Sequence, residues 1–219
     1  VASKGLPPSP RLGLRTGYVL AYNLLQFCGH SWVLANILAR ALRFGSDALA
    51  DTFHAVGLAA SLCQLLSVLE LYHIADGLEK GRLLPRFIQV AKRSCVLVLV
   101  LVLEEVQTKP VVSLLFLLWS LAELLRYPHE LLSAVGMASE GASWLRYTLR
   151  IPVYVLSATV DGVSVYQALP YAQAVPLGDT RLSSLLLLCL ALWPLGASVA
   201  VWQLLKEREQ RLNKTKKKK

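Results

Sequence analysis

Apolar residues in this chain come in long runs that neither alternate with polar ones, as in a half-buried strand, nor follow one narrow amphipathic stripe. The stretch from Leu182 to Leu205 runs 24 residues without a charge and the stretch from Gly17 to Ala39 runs 23. As helices, both can cross a hydrocarbon layer about 30 Å thick. Four shorter charge-free blocks lie between them: Thr52 to Leu69, Ser94 to Leu103, Pro110 to Ala122 and Ile151 to Val160. Each predicts a helix whose charges sit at an interface or face the inside of a bundle. Glu70 and His73 close the second helix, Lys92 and Arg93 open the third, and Glu104 and Glu105 close it. Glu123 and Arg126 end the fourth, and Asp161 falls within the fifth. The pattern predicts an all-α, polytopic membrane protein built as a bundle of about six transmembrane helices. Residues 1–15, with three prolines, read as a disordered lead-in, 16–206 as the membrane domain, and 207–219 as a basic cytoplasmic tail.

Composition sharpens this picture. Apolar residues make up 55% of the chain and charged residues 17%, with a mean hydropathy of +0.49; a soluble domain carries about 25% charged residues. Basic side chains collect on the cytoplasmic side of short loops. With six helices and both termini cytoplasmic, the 23 Lys and Arg residues divide 19 to 4 in favour of that side. The net charge of +9 lies mostly in the tail and the juxtamembrane segments, so it points to anionic lipid or substrate phosphate rather than to nucleic acid. Cys28, Cys63, Cys95 and Cys189 all fall in apolar segments without a CxxC pair and are expected to be small buried hydrophobes.

Candidate chemistry begins at "YVLSATVD", residues 154–161. Tyr154 and Asp161 are seven residues apart, two helical turns with about 20° of angular offset, and so share a face. Arg146 and Arg150 extend that face backwards, unless Pro152 kinks the helix or starts it. The stripe then carries two cations at the cytoplasmic end, a phenol below them and a carboxylate deepest. An ionisable group inside the membrane is costly and marks a candidate functional site; the alternative is that Asp161 pairs with a basic or hydroxyl group on a neighbouring helix. Glu70 and His73, at i and i+3, read as a buried hydrogen-bonded pair rather than a metal site. His30 and His54 read as interhelical hydrogen-bonders, and Glu123 with Arg126 and Tyr127 as a local ion pair closing a helix.

The blocks "YNLLQFCGHSWVLAN", "DTFHAVGLAASLCQLLSVLELYHIADGLE", "LLPRFIQVAKR", "EEVQ", "LAELLRY" and "WLRYTLRIPVY" resemble, in order and spacing, the very-long-chain 3-hydroxyacyl-CoA dehydratases, also called protein tyrosine phosphatase-like A proteins. The likeness spans about residues 17 to 172 and is nearest to the family's fourth vertebrate branch. It implies six helices in the endoplasmic reticulum membrane, no metal or other cofactor, and removal of water from a long-chain (3R)-3-hydroxyacyl-CoA to give the trans-2-enoyl-CoA during fatty-acid elongation. Other elongation enzymes and the lipid bilayer are the implied partners. The family's catalytic tyrosine and glutamate follow a pattern like Y-P-x-G-V-x-x-E. Tyr154 matches the tyrosine, Asp161 stands at the glutamate position, and Val155 stands where proline is usual.

The resemblance also implies roles for other positions. Arg126, Arg146 and Arg150 are expected to receive the phosphates of coenzyme A as charge-assisted donors, and Glu123, Glu70 and His73 to support the site. Asp161 is one methylene shorter than the family glutamate, which withdraws the carboxylate by about 1.5 Å, and a misplacement of about 1 Å can cost roughly 100-fold in rate. The alternative function is therefore a weak or inactive family member that serves as a membrane scaffold for elongation enzymes. No cysteine is followed by the C-x5-R phosphate cradle, so phosphatase chemistry is not expected. Lys216 and Lys217, at the fourth and third positions from the end, resemble a dilysine retrieval signal of endoplasmic reticulum membrane proteins.

Overall fold

The computed structural model describes residues 13–79, 82–137, 140–173, 175–177 and 180–216. Six long helices dominate it: α1 (Leu14–Phe44), α3 (Thr52–Ala75), α4 (Leu83–Val102), α6 (Pro110–Ala134), α7 (Glu140–Ala172) and α8 (Leu182–Lys216). Two single-turn helices, α2 (Asp47–Ala50) and α5 (Glu104–Gln107), sit in the connections. Between α7 and α8 the two-residue strands β1 (Pro176–Leu177) and β2 (Thr180–Arg181) pair antiparallel. The first helix starts at Leu14, inside the segment expected to be a lead-in, and α8 continues through Lys216, so the described part of the basic tail is helical. Lys217 lies outside the described residues. At the start of α6, Pro110 occupies the first helical turn, where a missing N–H costs nothing.

Each inner helix buries one stripe at three- and four-residue spacing. On α3 the stripe is Val56, Ala60, Cys63, Ser67 and Glu70; on α4 it is Arg86, Val90, Arg93, Leu97 and Val100. Such stripes pack side by side along nearly parallel helices. Their contacts close a ring in which α7 packs on α6, α6 on α1, α1 on α3, α3 on α4 and α4 on α7. Helix α8 lies outside this ring against α7, and Leu186 is the one large apolar side chain of its described residues that is buried. Helices α1 and α3 approach closely at Gly29, where a Cβ would stand 2.6 Å from the Cys63 Sγ.

The bundle is apolar outside, and its interior holds a polar cluster beside an apolar core that includes Val33, Val56, Val100, Val112 and Phe116. Leu24, Leu25, Trp32, Leu62, Leu65, Leu84, Phe87, Ile88 and Val98 face outward, while Asn23, Gln26, His30, Glu70, Arg86, Arg93, Glu123 and Asp161 are buried. Water would invert that arrangement; lipid requires it. The chain is an all-α membrane protein. By length and composition Thr52–Ala75, Pro110–Ser133 and Leu182–Gln210 are able to cross a membrane. Gly17 to Ala39, expected to be among the clearest spans, does not reach that apolarity, because α1 turns Asn23, Gln26 and His30 inward. Helices α4 and α7 fall short for the same reason, carrying Arg86, Lys92, Arg93 and Asp161.

Several expectations change at this level. Of the four cysteines only Cys63 is buried; Cys28, Cys95 and Cys189 are exposed on the apolar outer surface. Helix α7 runs unbroken through Pro152. Arg86, Lys92, Arg93 and Arg126, counted among the juxtamembrane cations, are turned into the bundle.

Candidate active site

Asp161 has no exposed surface. Its α7 stripe continues through Ser157, Ser164 and Ala168, all buried, which aims the carboxylate into the ring rather than at lipid. Two neighbouring helices meet it there. From α4 the Lys92 ammonium forms an ion pair with Oδ2, and from α6 the Trp119 indole N–H donates to Oδ1 at 2.9 Å. Lys92 was expected at the opening of its helix and was not assigned to the site. It lies between the two residues that were, since its Nζ is 5.5 Å from the centre of the Tyr154 ring as well as bonded to Asp161.

Tyr154 is partly buried, and among the described residues no hydrogen bond to its hydroxyl occurs. On the far side of Lys92 the Trp193 ring of α8 lies 5.3 Å from the ammonium, and the Trp193 N–H donates to the Ala158 carbonyl at 2.8 Å. Gly162 lies against that indole, where a Cβ would stand in ordinary contact with its nitrogen at 3.4 Å. The site thus holds a free phenol, a fixed carboxylate and a caged ammonium.

A second polar centre lies beside the first, closer to the start of α4. Glu70 of α3 accepts hydrogen bonds from Arg86 Nε at 2.7 Å, Arg126 Nη2 at 2.6 Å and the Tyr127 hydroxyl at 2.7 Å. Glu123 of α6 pairs with Arg93 at 2.6 Å, Arg126 at 2.9 Å and Arg86 at 3.2 Å. Three guanidiniums and two carboxylates from three helices therefore interlock, with the Tyr22 hydroxyl of α1 3.4 Å from Glu70. Burying any one of these charges alone would cost several kcal/mol, so the set is stable only as a whole. Arg93 joins the two centres, its guanidinium 5.5 Å from the centre of the Trp119 ring.

The sequence-derived candidates separate accordingly. Tyr154 and Asp161 come together around Lys92. Glu70, Glu123 and Arg126 come together in the neighbouring network, so the Glu123–Arg126 contact is part of an interhelical assembly rather than a local closure of α6. His73 does not bond Glu70; its Nε2 lies 3.0 Å from the Tyr18 hydroxyl. Arg146 pairs with Glu130 of α6 and approaches His129 at 2.7 Å. Arg150, half-buried one turn later, has no hydrogen bond or ion pair among the described residues. His30 does reach across helices, to Ser120 at 3.4 Å, whereas His54 is exposed with its ring edge against Phe53. Lys216 closes α8.

Clefts open at both ends of the bundle. One of about 580 Å³ is lined by Arg15, Tyr18, Asp76 and Leu78, and one of about 540 Å³ by Lys109, Tyr166, Gln167 and Tyr171. Neither is lined by Asp161 or Tyr154.

Residues 64–214 match the family model described as protein tyrosine phosphatase-like protein, PTPLA. The chain is 44% identical over 166 residues to very-long-chain (3R)-3-hydroxyacyl-CoA dehydratase 4 of Mus musculus, covering 75% of this chain and 72% of that protein. It is 42% identical over 169 residues to the Homo sapiens protein of the same name, covering 77% and 73%. With the very-long-chain (3R)-3-hydroxyacyl-CoA dehydratase of Danio rerio it shares 36% identity over 221 residues, 96% of this chain and 61% of that one. No solved structure matches. This chain belongs to the protein tyrosine phosphatase-like PTPLA family.

Proposed function

We propose that this protein removes water from a long-chain (3R)-3-hydroxyacyl-CoA to give the trans-2-enoyl-CoA, as a carbon–oxygen lyase of fatty-acid elongation. The observation that carries the reading is the pairing on one face of α7 of a wholly buried carboxylate, Asp161, with a phenol, Tyr154, that has no hydrogen bond among the described residues. Asp161 takes the proton from the carbon next to the thioester. Those electrons form the new double bond, the carbon–oxygen bond breaks, and Tyr154 gives its proton to the departing hydroxyl, which leaves as water. General acid and base groups of this kind each contribute about 100- to 10,000-fold. Arg146 and Arg150, at the start of α7, face the coenzyme A phosphates, while Arg126 serves the interior network that braces α3, α4 and α6. The protein resides in the endoplasmic reticulum membrane with both termini cytoplasmic, where other elongation enzymes supply its substrate.

The scaffold reading has one observation on its side: both Asp161 oxygens are already engaged, by Lys92 and Trp119. One experiment separates the two. Protein reconstituted in liposomes is given a long-chain (3R)-3-hydroxyacyl-CoA, and the enoyl product is measured for the parent, Tyr154→Phe, Asp161→Asn and Asp161→Glu. The dehydratase reading expects an active parent and losses of about 100-fold or more for Tyr154→Phe and Asp161→Asn. A silent parent that gains turnover as Asp161→Glu supports the scaffold instead.

A further inference from the structure

An aspartate has only a short side chain with which to aim, and the Asp161 carboxylate is aimed from outside its own helix. Lys92 on α4 holds Oδ2 and Trp119 on α6 holds Oδ1, so the plane of the carboxylate is fixed by two neighbouring helices. Lys92 is itself immobilised: its side chain is only 20% exposed and its ammonium sits about equally far from the Tyr154 and Trp193 rings, at 5.5 and 5.3 Å. Cation–π contacts of this kind strengthen when desolvated, and the cage confines a four-carbon stem that would otherwise sample many rotamers. The ammonium therefore touches the carboxylate and abuts the phenol, the two groups the proposed elimination needs.

We propose that Lys92 is a positioning residue of that elimination, which acts by fixing the direction of the Asp161 carboxylate on the face it shares with Tyr154; the inference rests on the dehydratase reading above. Its role is distinct from charge neutralisation alone. A partner that only neutralises charge acts on stability and on the basicity of the carboxylate, so its loss moves the pH profile of kcat. A positioning partner sets kcat, because about 1 Å of misplacement costs on the order of 100-fold, and leaves substrate binding nearly unchanged.

The test compares the parent with Lys92→Met, Lys92→Arg and Lys92→Ala in liposomes, the last with and without n-propylammonium chloride at matched ionic strength. Thermal unfolding identifies the folded variants. The expected result is a kcat about 100-fold lower for Lys92→Met with KM within threefold of the parent, and recovery of at least a tenth of parental kcat in Lys92→Arg or in Lys92→Ala given n-propylammonium. If Lys92→Met does not fold, the arginine and amine-rescue arms decide. A Lys92→Met kcat equal to or above the parent's overturns the proposal, as does a rise in KM alone. Failure of both rescue arms overturns it too, because the missing cation would then not be the cause of the loss. A silent parent rejects the dehydratase reading, and this inference falls with it; an active parent indifferent to Lys92 rejects this inference alone.

Discussion

Replacing Glu70 by glutamine tests whether the interior network is what holds the ring of helices together. Glu70 is fully buried and takes hydrogen bonds from Arg86, Arg126 and Tyr127, while Glu123 alone remains to balance Arg86, Arg93 and Arg126. The substitution keeps shape and removes one negative charge, so the interior excess rises from one positive charge to two. Breaking a buried pair from one side costs about 3–5 kcal/mol. For a chain of this size each kcal/mol moves the midpoint by about 2–4 °C, which gives a fall of about 6–20 °C. Cys63 reports the transition, because it is buried on the same stripe of α3 as Glu70 and its carbonyl accepts a bond from Gln26 at 3.0 Å. With Cys28, Cys95 and Cys189 changed to serine, a thiol-reactive fluorogenic dye follows unfolding in detergent. Asp51→Asn is the control, since Asp51 is exposed and its partner Arg40 only half-buried, and surface pairs contribute about 0–1 kcal/mol. Glu70→Gln/Arg86→Met, which returns the excess to one positive charge, recovers part of the loss. A Glu70→Gln midpoint no lower than that of Asp51→Asn would refute the reasoning.

Two further outcomes follow from local geometry. Gly29→Ala lowers the midpoint in the same assay, run with tryptophan fluorescence as the readout, because its methyl meets the Cys63 sulfur and overpacking costs about 1–3 kcal/mol; adding Cys63→Ala restores most of it. Glu79, in the connection after α3, has its carboxyl raised above the usual carboxylate range, first by burial and then by the charge of Glu70. Ionised Glu79 therefore opposes folding above its folded-state value, and the penalty disappears as pH falls through it. Glu79→Gln, which keeps an acceptor for the Asn23 amide that now bonds Glu79 at 3.1 Å, raises the midpoint at neutral pH. The difference from the parent closes in acid, and a gap that widens in acid contradicts the assignment.

The number of long helices and the shared face of Tyr154 and Asp161 were legible in the sequence because both depend on spacing within one segment. Lys92 and Trp119 were not legible as site residues. They stand 69 and 42 positions before Asp161, and only the closing of α4 and α6 against α7 brings them there. Arg86 and Arg93 had a readable signal that charge counting hid: with Val90, Leu97 and Val100 they form one three- and four-residue stripe on α4, so they belong to its buried face and not to a cytoplasmic loop. His73 shows the opposite limit, since its i+3 spacing from Glu70 was real while its partner, Tyr18, lay on another helix.

The same contrast explains why average apolarity misjudged the bundle. The long helices that fall short of a membrane span by composition, α1, α4 and α7, are those that supply Tyr22, Gln26, His30, Arg86, Lys92, Arg93, Tyr154 and Asp161. Helix α8, whose Leu182–Gln210 segment qualifies with a hydropathy of 2.1, lies outside the ring and contributes one aromatic wall to the site, Trp193. In lipid a helix loses nothing by being apolar all round, so a segment that departs from it must bury its polar groups against partners. The polar and charged content of α1, α4 and α7 is therefore a positive signal: these helices turn it into the interior, where α3 and α6 meet it with Glu70, Glu123 and Arg126 while still qualifying as spans, and α4 and α7 meet at Lys92 and Asp161.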